Sequence, residues 1–122
     1  MRFGESITVL VASDARLVAE RLMDRVSRLK RVARIDQMTG GIDALRLIAV
    51  GQPDVLIIDV HLENVKGLDL IREVKKLENV PLIISIAISL EQQYSRQSIK
   101  EGADYFFQLP ADIDKLVELL EG

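Results

Sequence analysis

The 122-residue sequence predicts an α/β fold, a doubly wound five-stranded parallel sheet of order 2-1-3-4-5 with helices on both faces. Three observations predict it. Short β-branched runs such as Ile7–Ala12, polar only at Thr8, and Val55–Ile58 are the mark of strands buried on both faces. Such runs alternate five times with segments whose apolar residues recur at helical spacing. Right-handed crossovers then leave few topologies for strands that alternate with helices.

The elements follow in order. After the first strand, Ser13-Asp14 breaks the apolar run, and Val18, Leu22, Val26 and Leu29 mark a helix with Arg and Glu between them. Val32–Asp36 is a short strand, ended by Thr39-Gly40-Gly41. Ile42, Leu45, Ile48 and Ala49 make a second amphipathic helix, closed by Gly51 and Pro53. Val55–Ile58 is the clearest strand, and Asp59 follows it directly. A polar loop from His61 to Lys66 leads to Gly67 and a helix carrying Leu68, Ile71 and Val74, with a break at Asn79. Pro81 opens the strand Leu82–Ala87, and Leu90–Lys100 reads as a helix with little apolar patterning. Gly102-Ala103-Asp104 precedes the strand Tyr105–Gln108, and Pro110 precedes a helix with Ile113, Leu116, Val117 and Leu120 on one face.

The length suits one domain, taken as residues 1–122, with no linker, repeat or low-complexity stretch. Apolar residues make up 48% and charged residues 29%, enough apolar surface to offset the entropy of folding. A net charge of −3 gives no global field towards nucleic acid or membrane. With no cysteine there is no disulfide framework, thiolate zinc site or cysteine nucleophile. Met1–Ser6 has one base and no long apolar stretch behind it, unlike a signal peptide. The longest apolar run, Val80–Ile88, is interrupted by Ser85 and falls short of the ~20 residues of a spanning helix. A cytoplasmic location is expected.

In a sheet of this order the site lies beyond the carboxyl ends of the strands, at the switch between strands 1 and 3. Those ends carry Asp14 and Asp59. Taken singly, Asp59 could be a turn-starter holding nearby N–H groups, and either Ser13 or Asp14 could cap the first helix. Taken together, two carboxylates on neighbouring strand ends suit Mg²⁺, a hard ion that wants oxygen ligands, and an aspartate beside it can attack a phosphoryl group.

At this point the sequence resembles the receiver domains of two-component response regulators over nearly its whole length. The resemblance rests on Pro53–Asp59 followed by Gly67–Ile71, on Gly41, Ala44 and Leu45, on Pro81 and Ala87, and on Gly102–Tyr105 with Pro110. It implies the three-layer sandwich of the flavodoxin and CheY type. It implies Asp59 as phosphoacceptor, and Asp14, Asp59 and the backbone carbonyl of His61 as Mg²⁺ ligands. It also exposes three departures. Ser13 stands where the family has a second acid, Ile86 where it has a hydroxyl residue, and Leu109 where it has a lysine.

Each departure removes something the chemistry uses. Ser13 takes a negative charge from the metal shell, Ile86 cannot hydrogen-bond a phosphoryl oxygen, and Leu109 cannot neutralise one. Ser85 and Gln108 are adjacent, but alternation along a strand turns them to the opposite face. Lys66 could reach back from its loop.

Other residues have plainer readings. His61 reads first as an exposed loop histidine, and Arg25, Arg28, Lys30, Arg31 and Arg34 as a solvated cluster at a helix end rather than a nucleic-acid patch. Phe106 matches the family's rotameric switch position, with edge-strand packing as its ordinary alternative. Tyr94, Tyr105 and Phe107 would add to an interaction face on the fourth helix, fifth strand and fifth helix. A cis Leu109-Pro110 peptide is expected by the same resemblance.

The resemblance and its departures together imply a non-enzymatic protein-interaction module in phosphorelay signalling, with phosphorylation switching impaired or absent. Its partners would be a histidine kinase or a downstream signalling protein, or a second copy through the face just described. Membrane and direct nucleic-acid binding are not expected. The alternative is a working phosphoacceptor modified on Asp59 by a histidine kinase. An enzyme on this architecture is the rival class. A haloacid-dehalogenase-type phosphatase would have an aspartate where His61 stands, and a flavodoxin-like domain would want a phosphate loop richer in Ser, Thr and Gly than Ser13–Arg16.

Overall fold

A computed structural model describes residues 6–39, 41–51, 53–62, 66–88 and 93–122. The expected break at Gly40, the centre of the His61–Lys66 loop, the Leu90 start of the fourth helix and most of the Met1–Ser6 segment lie outside the described residues.

The elements run β1 (Ile7–Ala12), α1 (Arg16–Ser27), β2 (Val32–Met38), α2 (Gly41–Ala49), β3 (Val55–Asp59), α3 (Gly67–Val74), β4 (Leu82–Ala87), α4 (Gln93–Glu101), β5 (Tyr105–Gln108) and α5 (Ile113–Glu121). The strands form one parallel sheet of order β2-β1-β3-β4-β5, the order predicted from the sequence. The cis Leu109-Pro110 peptide is present.

Alternation along the strands divides the core in two. Val9 and Val11 of β1, Ile57 of β3 and Ile84 and Ile86 of β4 face Leu22 and Val26 of α1 and Leu116 and Leu120 of α5. Leu10, Leu56, Ile58 and Ile83 face the other way, onto Ala44 and Ile48 of α2 and Leu70, Ile71 and Val74 of α3. A strand covered on both sides has no solvent face, which is why β1, β3 and β4 are apolar at nearly every position, Thr8, Ser85 and the closing Asp59 apart.

The structure corrects several details. β2 runs to Met38, two residues past its expected end; it lies at the sheet edge, where polar residues such as Asp36 and Gln37 are tolerated. Leu29 lies beyond the end of α1 but still packs on the core. In α2 the buried face is Gly41, Ala44 and Ile48, whereas Ile42 is 60% exposed and Ala49 is also outward. Helical geometry sets residues 44 and 48 one above the other and turns 42 and 49 away from them. In α4 the buried side chain among those described is the polar Ser98, which explains its faint apolar pattern.

Candidate functional site

Ala12 lies opposite Ile58 in the β1–β3 register, so Ser13 and Asp59 emerge side by side at the carboxyl edge of the sheet. Both are buried. The Ser13 hydroxyl donates to Asp59 Oδ2 at 3.2 Å, and the His61 backbone N–H donates to Asp59 Oδ1 at 2.9 Å. Each carboxylate oxygen thus has a partner, and the side chain is held in one orientation. The His61 bond is the turn-forming role expected of Asp59 taken singly, and it coexists with the switch-point position.

Neither Ser13 nor Asp14 caps α1. The N-cap residue is Ala15, with no side-chain cap bond. Ser13 Oγ instead accepts the Ala15 N–H at 3.2 Å while donating to Asp59, so both functions of the hydroxyl stay within the switch-point turn. A charged acceptor on the next strand is a stronger partner than a helix end.

Gly67 opens α3 against the back of this turn. A Cβ there would stand 2.6 Å from Val60 Cα and closer still to the Asp59 carbonyl oxygen, so only glycine allows the approach.

The wall beside Asp59 is apolar. Ile86 lies opposite Asp59 in the β3–β4 register and is 1% exposed; Leu109 is fully buried, and both belong to the α1/α5 core. The core therefore extends under the carboxylate where the resemblance places a hydroxyl and an ammonium. Ser85 faces away, as alternation requires: its hydroxyl meets Ser98 Oγ at 2.8 Å and the Tyr105 carbonyl at 3.2 Å. Lys66 is exposed at the N-cap of α3.

The donor set bears on a divalent cation directly. Asp14, partly exposed beside Ser13, and Asp59 supply carboxylates, and the His61 carbonyl is two residues on. The Ser13 hydroxyl is already committed to Asp59 and Ala15. Among the described residues no group of three or more His, Asp or Glu side chains could hold a metal ion. Two carboxylates and a carbonyl would supply three oxygens of an octahedral Mg²⁺ shell and leave the other half to water.

Sequence reasoning missed one contact. The His61 ring meets Tyr94 of α4 edge-on, with centroids 4.5 Å apart and planes at 78°. Loop and helix are distant in sequence, and neither residue carries a pattern that announces the pair. Tyr105 and Phe107 stack at 6.3 Å on β5, with Tyr105 38% exposed, while Phe106 is half-buried opposite Ser85. The basic cluster is interleaved with acids: Arg25 meets Asp114, Arg28 meets Asp24 and Arg34 meets Asp36 within 3.1 Å. No helix among the described residues is long and apolar enough to cross a membrane.

A parallel α/β sheet of this order, with a held aspartate at its switch point, defines a class of signalling and ligand-binding domains. Within that class the chain belongs to the response regulator receiver domain family, whose model matches residues 9–121. It is 28% identical over 109 residues to a protein-glutamate methylesterase/protein-glutamine glutaminase of Pyrococcus abyssi, covering 88% of this chain and 30% of that protein. It is 27% identical over 115 residues to the sensory transduction protein LytT of Bacillus cereus, covering 94% of this chain and 46% of that one. The chain thus spans less than half the length of either curated relative. The receiver domain of Francisella response regulator 1452 superposes with a TM-score of 0.80 at 24% identity, covering 95% of this chain and 97% of that one. The response regulator domain of Thermotoga maritima CheB gives 0.82 at 18%, with 94% and 93% covered. At these identities the superpositions establish the fold alone.

Proposed function

We propose that this receiver domain, taken as one folded unit over residues 1–122, acts in cytoplasmic phosphorelay signalling by binding other proteins, with phosphorylation switching at Asp59 impaired or absent. One observation carries the reading: Ile86 and Leu109, at 1% and 0% exposure, build apolar core beside Asp59 where phosphoryl ligands would stand. Asp59 keeps the phosphoacceptor position, but a phosphoryl group there would lack a neutralising cation and a hydroxyl donor. Phosphoryl transfer depends chiefly on positioning and charge stabilisation, so those losses fall on the step itself. Asp14, Asp59 and the His61 carbonyl would hold Mg²⁺ weakly; when bound, the ion would supply positive charge beside the carboxylate.

The module catalyses no turnover on a separate substrate. Its partners are a histidine kinase or a downstream signalling protein. A second copy could pair through α4, β5 and α5, the face on which Tyr105 and Phe107 stack. The domain has no direct role on membranes or nucleic acid.

A second reading, a working phosphoacceptor modified by a histidine kinase, is favoured by the double hydrogen bonding that orients Asp59. A backbone NMR titration with Mg²⁺ and then beryllofluoride, with Asp59→Asn as control, separates the two. Shifts confined to the switch-point turn, or none, are expected. Shifts that spread from Asp14 and Asp59 into α4 and vanish in Asp59→Asn would establish the second reading.

A further inference from the structure

Ser13 is pinned from three sides. Its N–H donates to the Met38 carbonyl of β2 at 3.2 Å. Its hydroxyl donates to Asp59 at the end of β3 and accepts from Ala15 in its own turn. The remaining polar group is its carbonyl, which accepts a hydrogen bond from Gln37 Nε2 at 3.1 Å. Gln37 belongs to the edge strand β2, where it stands opposite Val11 in the β1–β2 register.

A place on the sheet edge accounts for a polar residue at 37, but not for the direction of its amide. Alternation sets Gln37 on the same side of the sheet as Ile35, which packs on the α1/α5 core. The side chain is half-buried, so water is within its reach, yet Nε2 is turned to the Ser13 carbonyl. Only a donor serves there; a carboxylate or a thioether of the same length would leave the carbonyl unmet. The Ser13 carbonyl and the Asp14 N–H belong to one planar peptide unit. A donor that fixes the direction of the carbonyl therefore fixes the plane from which the Asp14 side chain departs. Ser13 thus stands between two carboxylates: its hydroxyl holds Asp59, and its peptide carries Asp14.

We infer that Gln37 is a positioning residue of the candidate site: through the Ser13–Asp14 peptide it sets the Asp14 carboxylate relative to Asp59, and so the affinity of the pair for a divalent cation. This role rests on the proposed function of Asp14 and Asp59 as Mg²⁺ ligands and involves no phosphoryl group. Partners outside the metal shell act by orienting the ligands within it. A carboxylate whose backbone is already fixed loses less freedom on taking up an ion than one that must first be ordered. Gln37 and Ser13 act in series, one fixing the peptide that carries Asp14 and the other the carboxylate of Asp59.

Gln37→Met on the whole chain tests this, because a thioether keeps the length and unbranched shape of the side chain and removes the donor. Without metal, the one-bond N–H dipolar coupling of Asp14 in a weakly aligned NMR sample reports the direction of its peptide. That coupling should change in the variant, while those of Val9, Leu10 and Val11 stay as in wild type. With metal, a Mg²⁺ titration followed by amide shifts should show an affinity lower by about threefold to tenfold, the worth of one net hydrogen bond. In an Asp14→Asn background, Gln37→Met should add nothing to the loss of Mg²⁺ affinity. A glutamine that served stability alone would lower the urea midpoint and leave the affinity of the folded protein where it was. An unchanged Asp14 coupling overturns the inference. So does a Gln37→Met affinity equal to that of wild type, an equal loss in the Asp14→Asn background, or a wild type that gives no response to Mg²⁺. Should Gln37→Met not fold, Gln37→Asn takes its place, since its amide falls one methylene short of the Ser13 carbonyl, and the same outcomes decide. No phosphoryl mimic enters, so a beryllofluoride response that overturned the proposed impairment would leave the role of Gln37 standing.

Discussion

Ser13 donates its hydroxyl proton to Asp59 Oδ2 across 3.2 Å, joining the ends of β1 and β3 at the point where the strand order reverses. A second acid in place of that hydroxyl would face Asp59 as a like charge in a buried setting. We propose that the serine trades metal affinity for a turn whose carboxylate oxygens both have partners within the protein.

Ser13→Asp should therefore reverse the trade. Mg²⁺ affinity should rise by about tenfold or more as a third carboxylate joins the shell. Without Mg²⁺ the variant should lose about 1–3 kcal/mol, because a bonded buried hydroxyl becomes an anion beside another. Urea unfolding with and without Mg²⁺ measures both, and an apo stability equal to wild type would contradict the account.

Restoring polar groups to the apolar wall should cost stability. Ile86→Thr keeps the branched shape but buries a hydroxyl in the α1/α5 core, and a loss of about 1–3 kcal/mol is expected from urea denaturation. Leu109→Lys should lose at least as much, since an ammonium replaces a fully buried side chain. If the double variant also responds to beryllofluoride where wild type does not, the two residues are what silences the site.

Gly67→Ala tests the close approach of α3 to the Asp59 turn. With 2.6 Å to Val60 Cα, the new methyl must push backbone rather than a flexible side chain, at about 1–3 kcal/mol. Amide shifts should concentrate at Asp59–Leu62, and a variant with wild-type stability and spectrum would show that the approach is not tight.

The anchor between α3 and α4 should depend on pH. The hydrogen bond from Arg72 holds the Glu101 carboxyl below its ordinary range, burial opposes the shift, and the guanidinium charge adds to it. Because the folded value is lowered, the stabilisation is complete above the ordinary glutamic acid value of about 4.3 and is lost as pH falls through the lowered one. Amide exchange at the C-terminal end of α4 should therefore quicken on acidification through that window. Glu101→Gln should remove the dependence; a persistent one would assign it to another group.

The buried Ser85–Ser98 pair should show coupling. Each hydroxyl keeps a backbone acceptor when the other is removed, Ser85 the Tyr105 carbonyl and Ser98 the Ser95 carbonyl, so both single alanine variants lose the same shared hydrogen bond. The double variant should be less destabilised than the sum of the singles by about 0.5–3 kcal/mol in a urea double-mutant cycle.

Much of this was legible in the residues themselves. The apolar runs of β1, β3 and β4, interrupted at Thr8, Ser85 and the closing Asp59, are legible because a strand buried on both faces is apolar at nearly every position. The importance of Asp59 was legible because a carboxylate has no packing reason to close such a run. The turn of Ser85 away from Asp59 followed from alternation alone. The outward position of Ile42, the uncapped start of α1 and the length of β2 were not legible. Each depends on which neighbour a side chain meets rather than on its own preference.

By itself, the sequence determined the order of elements, the sheet topology and the placing of Ser13, Asp14 and Asp59 at one edge, because period and chain connectivity are local properties. Only the tertiary structure decided that Ser13 bonds Asp59 rather than caps a helix, that Ile86 and Leu109 join one core beneath it, and that Tyr94 rests on His61. Those relations join residues from separate elements. Their distances are set by how the layers pack, and no spacing along the chain encodes them.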